Sequence, residues 1–192
     1  LSIQSFNLYL SFEMRKRTLL NTKAFELTIN RLCYQLIENH GDFSDSILLG
    51  LQPRGTFLTN RIIDRLRQIN PKIKINTGSL DITFYRDDFR RSGKPLEANT
   101  TDINFIVENK KVVFVDDVLY TGRSIRAALT AIQSFGRPNE IELLTLIDRR
   151  FSRHLPIQPD YRGRQVDAIN DEKVKVNWKE NEGEDAVYLI NK

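Results

Sequence analysis

The chain has 192 residues, 40% hydrophobic and 28% charged, with a formal net charge of +4, which suits one folded domain or a domain with a small appendage. No apolar run approaches the ~18 residues of a membrane span, and the mild positive charge attracts phosphates or RNA without marking a dedicated nucleic-acid binder. Cys33 is the only cysteine, which excludes a disulfide framework or a cysteine-based metal site and leads to the expectation of a reduced, cytoplasmic setting.

Residues 1–13 carry no basic stretch ahead of Met14, the only methionine, which Arg15, Lys16 and Arg17 follow. The reading is that Met14 is the natural start, that residues 1–13 are a non-native or disordered extension, and that residues 14–192 form a single domain. After Asn21 or Thr22 as N-cap, Phe25, Ile29, Leu32, Cys33, Leu36 and Ile37 recur at helical spacing, which makes Cys33 a core thiol. Ile47 to Leu51 reads as a short buried strand, interrupted by residues 52–55. A second amphipathic helix follows, with Phe57, Leu58, Ile62, Ile63, Leu66 and Ile69 inward and Pro71 beyond its end.

Residues 73–75 and 79–85 read as strands joined by a turn at Asn76, Thr77 and Gly78. From residue 86 to residue 104 the pattern disappears into a polar, charged stretch with Gly93 and Pro95, the signature of a functional or flexible loop. Order resumes with an apolar strand over residues 111–115. A helix carrying Ile125, Ala128, Leu129 and Ile132 comes next and ends near Gly136 and Pro138. Residues 141–147 form another buried strand. Beyond Asp148 the pieces are short, and residues 174–178 and 186–190 form a hairpin, the core of a hood over residues 148–192. Alternating strands and helices predict an α/β fold around a mostly parallel sheet flanked by helices.

One stretch stands out: V-V-F-V-D-D-V-L-Y-T-G-R-S, residues 112–124. In an open α/β sheet, ligands bind beyond the carboxyl ends of the strands, where Asp116 and Asp117 stand. The next helix begins near Gly122 to Ser124, so its free N–H groups and positive dipole end point into the same crevice. Thr121 and Ser124 add hydroxyls. A ribose 5-phosphate complements both features, with a phosphate for the helix end and two vicinal hydroxyls for the carboxylates. The stretch is neither a P-loop nor a dinucleotide fingerprint. A bare metal site on the two Asp residues and a solvated acidic loop are the competing readings.

The same stretch resembles the signature of type I phosphoribosyltransferases for 5-phosphoribosyl 1-pyrophosphate (PRPP): an apolar strand, two acidic residues, then T-G-x-[ST]. Further matching stretches are G-L-Q-P-R-G at 50–55, D-I-T-F-Y-R-D-D at 81–88, G-R-P at 136–138, L-I-D-R at 146–149, L-P-I at 155–157 and E-K-V at 172–174. Together they resemble the branch that joins uracil phosphoribosyl transfer to pyrimidine-operon regulation, over roughly residues 19–190.

The resemblance implies that PRPP and uracil give UMP and pyrophosphate, with Mg²⁺ entering on PRPP and no dedicated metal cage. Asp116 and Asp117 would hold the ribose hydroxyls. Tyr120, Thr121, Gly122, Arg123 and Ser124 would bind the 5-phosphate, and Pro53, Arg54 and Gly55 the pyrophosphate. Arg86 would reach the pyrophosphate from a flexible loop over residues 86–104, and Arg149 and Val174 would lie near the base. A UMP- or UTP-responsive form would bind pyrimidine-operon leader mRNA, with Arg31, Arg150 and Arg153 as candidate phosphate contacts. A homodimer or higher homo-oligomer is implied as well. The family's D-R-G-H-R-E-L-P-I is replaced here by D-R-R-F-S-R-H-L-P-I, one residue longer. An RNA regulator with little catalysis, and a transferase for another base, remain alternatives.

Overall fold

The computed structural model describes residues 16–85, 100–168 and 172–191. The expected extension over residues 1–13, Met14, Arg86 and most of the expected flexible loop lie outside the described residues.

Strand β1 (Lys16–Leu20) leads into helix α1 (Thr22–His40), which Asn21 caps by accepting from the Ala24 N–H. The helix turns Phe25, Ile29, Leu32, Cys33 and Leu36 inward, as their spacing predicts. Burial pushes the Cys33 thiol up to about 12, so it acts as a core residue. Strand β2 (Ser46–Leu51) is buried throughout and feeds α2 (Gly55–Ile69).

Strand β3 (Asn76–Leu80) differs from expectation. Residues 76–78, read as a turn, pair in parallel with Ile47, Leu48 and Leu49 of β2. Turn-forming chemistry is overridden there by a neighbouring strand that needs its hydrogen bonds satisfied. Residues 73–75 form no strand, and Thr83–Tyr85 is a 3-10 turn rather than strand. Asp102 exchanges two backbone hydrogen bonds with Ser79, so the end of the expected loop is tied to β3.

Strand β4 (Lys111–Leu119) runs past the predicted end at residue 115 and includes the acidic pair. Helix α3 (Arg123–Ala131) follows, then a 3-10 turn at Ile132–Ser134 and strand β5 (Glu140–Arg149). Leu129, expected inside, is 37% exposed; Ala127 and Ala131 share the inner face with Ile125 and Ala128. Strand β6 (Tyr161–Val166) was not anticipated. The five strands form a parallel sheet in the order β3-β2-β4-β5-β6. One core cluster joins its α1/α2 face to the hood, and another gathers the residues under α3.

The hood is a second sheet. Strands β7 (Glu172–Asn177) and β8 (Ala186–Asn191) form the expected antiparallel hairpin around the short helix α4 (Lys179–Glu182), and β1 joins at its edge in the order β1-β8-β7. Trp178, fully buried, meets Phe25 edge-on at 5.4 Å and stacks on Phe57 at 5.7 Å, fixing the hood to α1 and α2.

Candidate active site

The carboxyl ends of β2, β4 and β5 and the start of β7 enclose a cavity of about 680 Å³. Its wall includes Pro53, Arg54, Asp116, Asp117, all of residues 120–124, Arg149 and Val174. Of the expected substrate contacts, only Gly55 and Arg86 are not on it. Arg86 lies outside the described residues. Gly55 is buried behind the wall, where an added Cβ would sit 2.2 Å from the Val115 carbonyl oxygen. Its missing side chain therefore lets α2 press onto β4, rather than admitting a ligand.

Successive strand positions point to opposite faces, which separates the two carboxylates despite their adjacency. Asp117 turns to the α2 side, where Arg54 Nε donates to its Oδ2 at 2.8 Å. The same guanidinium donates to the Val176 carbonyl in the hood. Burial pushes the Asp117 carboxyl above its ordinary range, with Arg54 opposing that rise. Asp116 accepts the Asp117 N–H at 2.9 Å through Oδ1.

The turn from β4 to α3 depends on Gly122, whose φ of 89° is left-handed. The N-cap residue Gly122 brings no side chain, and Thr121 Oγ1 accepts the Arg123 N–H only at 3.5 Å, so the first turn of α3 stands at the cavity edge. At the end of β5, Arg149 is 5% exposed, lies over the Tyr120 ring at 4.0 Å and donates to the Glu172 carbonyl at 3.0 Å. Its buried Nε has no hydrogen-bond partner among the described residues, and burial lowers its pKa.

The sequence reading missed six wall residues, Gln52, Ile82, Val118, Leu119, Glu172 and Lys173. Gln52 donates to Ser79 Oγ at 2.9 Å and to the Thr100 carbonyl at 2.6 Å. The E-K-V stretch contains Glu172 and Lys173 and was a usable signal. The G-L-Q-P-R-G and D-I-T-F-Y-R-D-D stretches likewise contain Gln52 and Ile82.

The three arginines proposed for RNA have internal partners. Arg31 donates to the Arg162 and Gly163 carbonyls at 2.8 and 2.6 Å, Arg150 pairs with Asp167 at 2.5 Å, and Arg153 bonds Asp148 and the Tyr120 carbonyl.

A family model described as "Phosphoribosyl transferase domain" matches residues 16–180. The bifunctional protein PyrR of Desulfosudis oleivorans is 42% identical over 178 residues, covering 92% of this chain and 98% of the relative. The chain belongs to the PyrR family of phosphoribosyltransferases. PyrR of a Picosynechococcus strain is also 42% identical, over 90% of this chain and 96% of that protein. In fold, the chain resembles a hypoxanthine phosphoribosyltransferase of Trypanosoma cruzi with a TM-score of 0.70, 14% identity and coverage of 94% and 93% of the two chains. That likeness matches the expected α/β architecture.

Proposed function

We propose that this PyrR-family chain transfers the ribose 5-phosphate of PRPP to uracil, releasing pyrophosphate and forming UMP, and that its nucleotide-bound form contacts pyrimidine-operon leader RNA. One observation carries the enzymatic half: the paired carboxylates and the amide-rich turn face a single cavity. Residues 14–192 are read as one functional unit, because both sheet and hood contribute to that cavity.

In this reading Asp116 and Asp117 accept hydrogen bonds from the ribose 2′- and 3′-hydroxyls. The 5-phosphate sits on the amides of residues 121–124 with the Thr121 and Ser124 hydroxyls. Substrate arrival exchanges a partner: Asp117 turns from Arg54 to a ribose hydroxyl, and the Arg54 guanidinium turns to the pyrophosphate. The orphan Arg149 Nε supplies a donor for a carbonyl oxygen of the base, and Val174 forms its apolar wall. Arg86 would complete the pyrophosphate contacts. Positive charge that develops on the ribose is vulnerable to water, so hood and catalytic loop serve to exclude it.

The oxygen donors Asp116 and Asp117 suit a hard cation such as Mg²⁺. Bound with PRPP, it would offset the charge of the leaving pyrophosphate.

The purified full chain, with PRPP and Mg²⁺, is offered uracil, hypoxanthine, guanine and adenine in parallel. UMP from uracil alone is expected, falling by at least about a hundredfold in the Asp116→Asn/Asp117→Asn double variant. Product from a purine and none from uracil would sink the base assignment. For the regulatory half, Arg31 and the half-exposed Arg150 are the surface contacts. UMP-dependent, salt-sensitive binding of leader RNA is expected, and equal affinity for a scrambled RNA would refute it.

A further inference from the structure

The loop that follows β5 closes over the outer side of the phosphate turn. Arg153 donates from one terminal nitrogen to the Tyr120 carbonyl at 2.6 Å and from the other to Asp148 Oδ1. His154 donates its backbone N–H to the Thr121 carbonyl at 2.9 Å. Leu155 packs behind Gly122, where an added Cβ would meet it at 3.5 Å. Asp148 is a firm anchor, only 3% exposed and 3.1 Å from Arg162 Nε as well.

Peptide planarity turns these outer contacts into inner geometry. In a trans peptide the C=O of one residue and the N–H of the next point in opposite directions. Holding the Tyr120 and Thr121 carbonyls toward residues 153–154 therefore turns the Thr121 and Gly122 N–H groups the other way. That way lies the cavity, which Thr121 and Gly122 line and Arg153 does not. Successive N–H groups aimed at one point form an anion-binding nest.

We infer that Arg153 is a positioning residue: by tying the Tyr120 carbonyl to Asp148 it aims the Thr121 and Gly122 amides at the sugar phosphate without touching the ligand. The inference rests on the reading of residues 120–124 as the phosphate turn. It also moves Arg153, whose side chain is only 20% exposed, from the RNA surface to the active-site frame. The bridge needs two donors at a fixed angle, which a guanidinium offers and an ammonium does not. A phosphate held alike before and during bond breaking contributes uniform binding, so its loss raises KM and spares kcat.

The test uses the full chain as wild type, Arg153→Gln and Arg153→Lys. Calorimetry reads the binding of ribose 5-phosphate, which has the phosphate and ring hydroxyls but no base. Steady-state kinetics with PRPP and amide hydrogen exchange over residues 120–124 accompany it. Both variants are expected to bind ribose 5-phosphate about tenfold more weakly. KM for PRPP should rise by a similar factor with kcat within about twofold, and exchange over residues 120–124 should accelerate. Affinity within about twofold of wild type in folded Arg153→Gln overturns the inference. Recovery by Arg153→Lys also overturns it, since charge alone would then suffice. So does a fall in kcat and Tm at constant KM, the mark of a merely structural role. If wild type binds ribose 5-phosphate in an Arg153-dependent way yet converts no base, the transferase reading fails and this inference stands. If wild type binds none, both fail.

Discussion

The two sides of the cavity, proposed for phosphate and for base, are built in opposite ways. On the phosphate side, a strand, a turn and the start of a helix within one continuous stretch present carboxylates and amides to the ligand. On the proposed base side, Arg149 at the end of β5 meets Glu172 at the start of β7, two elements far apart in the chain. Backbone amides at a helix start come first from local geometry, here braced by one loop, residues 153–155, whereas a side-chain pocket forms only after several distant elements have packed. The phosphate side should therefore respond to local backbone changes, and the base side to the packing of the hood.

Two substitutions break that comparison apart. Trp178→Ala removes the ring wedged between Phe25 and Phe57 and should cost about 4 kcal/mol, a fall in Tm of roughly 8 to 16 °C for a chain of this size. Below that transition, UMP affinity should fall further than ribose 5-phosphate affinity, because the base loses its wall. Gly55→Ala places a methyl carbon against the backbone oxygen of Val115 and should cost about 2 kcal/mol. It should weaken pyrophosphate binding in particular, because α2 and the Arg54 loop must back away from β4. Thermal denaturation and calorimetry with the three ligands check both variants. If Trp178→Ala weakens ribose 5-phosphate as much as UMP, the two sides do not behave independently.

The same contrast explains what was legible in the sequence. The turn that opens α3 and helices α1 and α2 could be read because each is encoded by contiguous chemistry or by a helical period. Strand β6, Y-R-G-R-Q-V, could not: its two arginines and Gly163 break the apolar alternation. A Cβ at Gly163 would lie 2.3 Å from the Leu146 carbonyl oxygen, a constraint visible only once β5 lies beside it. Strand β1, K-R-T-L-L, looked like a basic start because its partner β8 is at the other end of the chain. The acidic pair, expected just beyond a strand end, lies inside β4 and on the cavity wall, and the Arg54 contact that holds Asp117 has no local signal. It joins residues whose neighbourhood exists only after α2 docks on the sheet.

The opposite end of the parallel sheet gives the smallest effect, and a clean one, because it lies away from the ligand cavity. His40, at the end of α1, has its ring fully buried. It contacts Ser46 Oγ at 2.8 Å, Tyr161 Oη at 3.0 Å and Glu142 Oε2 at 3.0 Å, and stacks on Phe43. Asn39 donates to the same tyrosine, and Lys111 pairs with Glu140 nearby. Burial lowers the His40 pKa below its ordinary 6.5, with Lys111 adding to that effect and Glu142 and Glu140 opposing it. A base with a folded pKa below its unfolded value binds fewer protons when folded. Its contribution to stability is thus complete above pH 6.5 and is lost as pH falls from there through the folded value. The loss in that window is bounded at about 1.4 kcal/mol per pH unit, the slope for one whole proton. Glu142→Gln removes the main group that favours the protonated ring, so the decline should reach further into acid and become larger. Denaturant melts at a series of pH values measure both slopes. A wild-type stability that rises on acidification through this window would mean that the Glu142 ion pair outweighs the burial of His40.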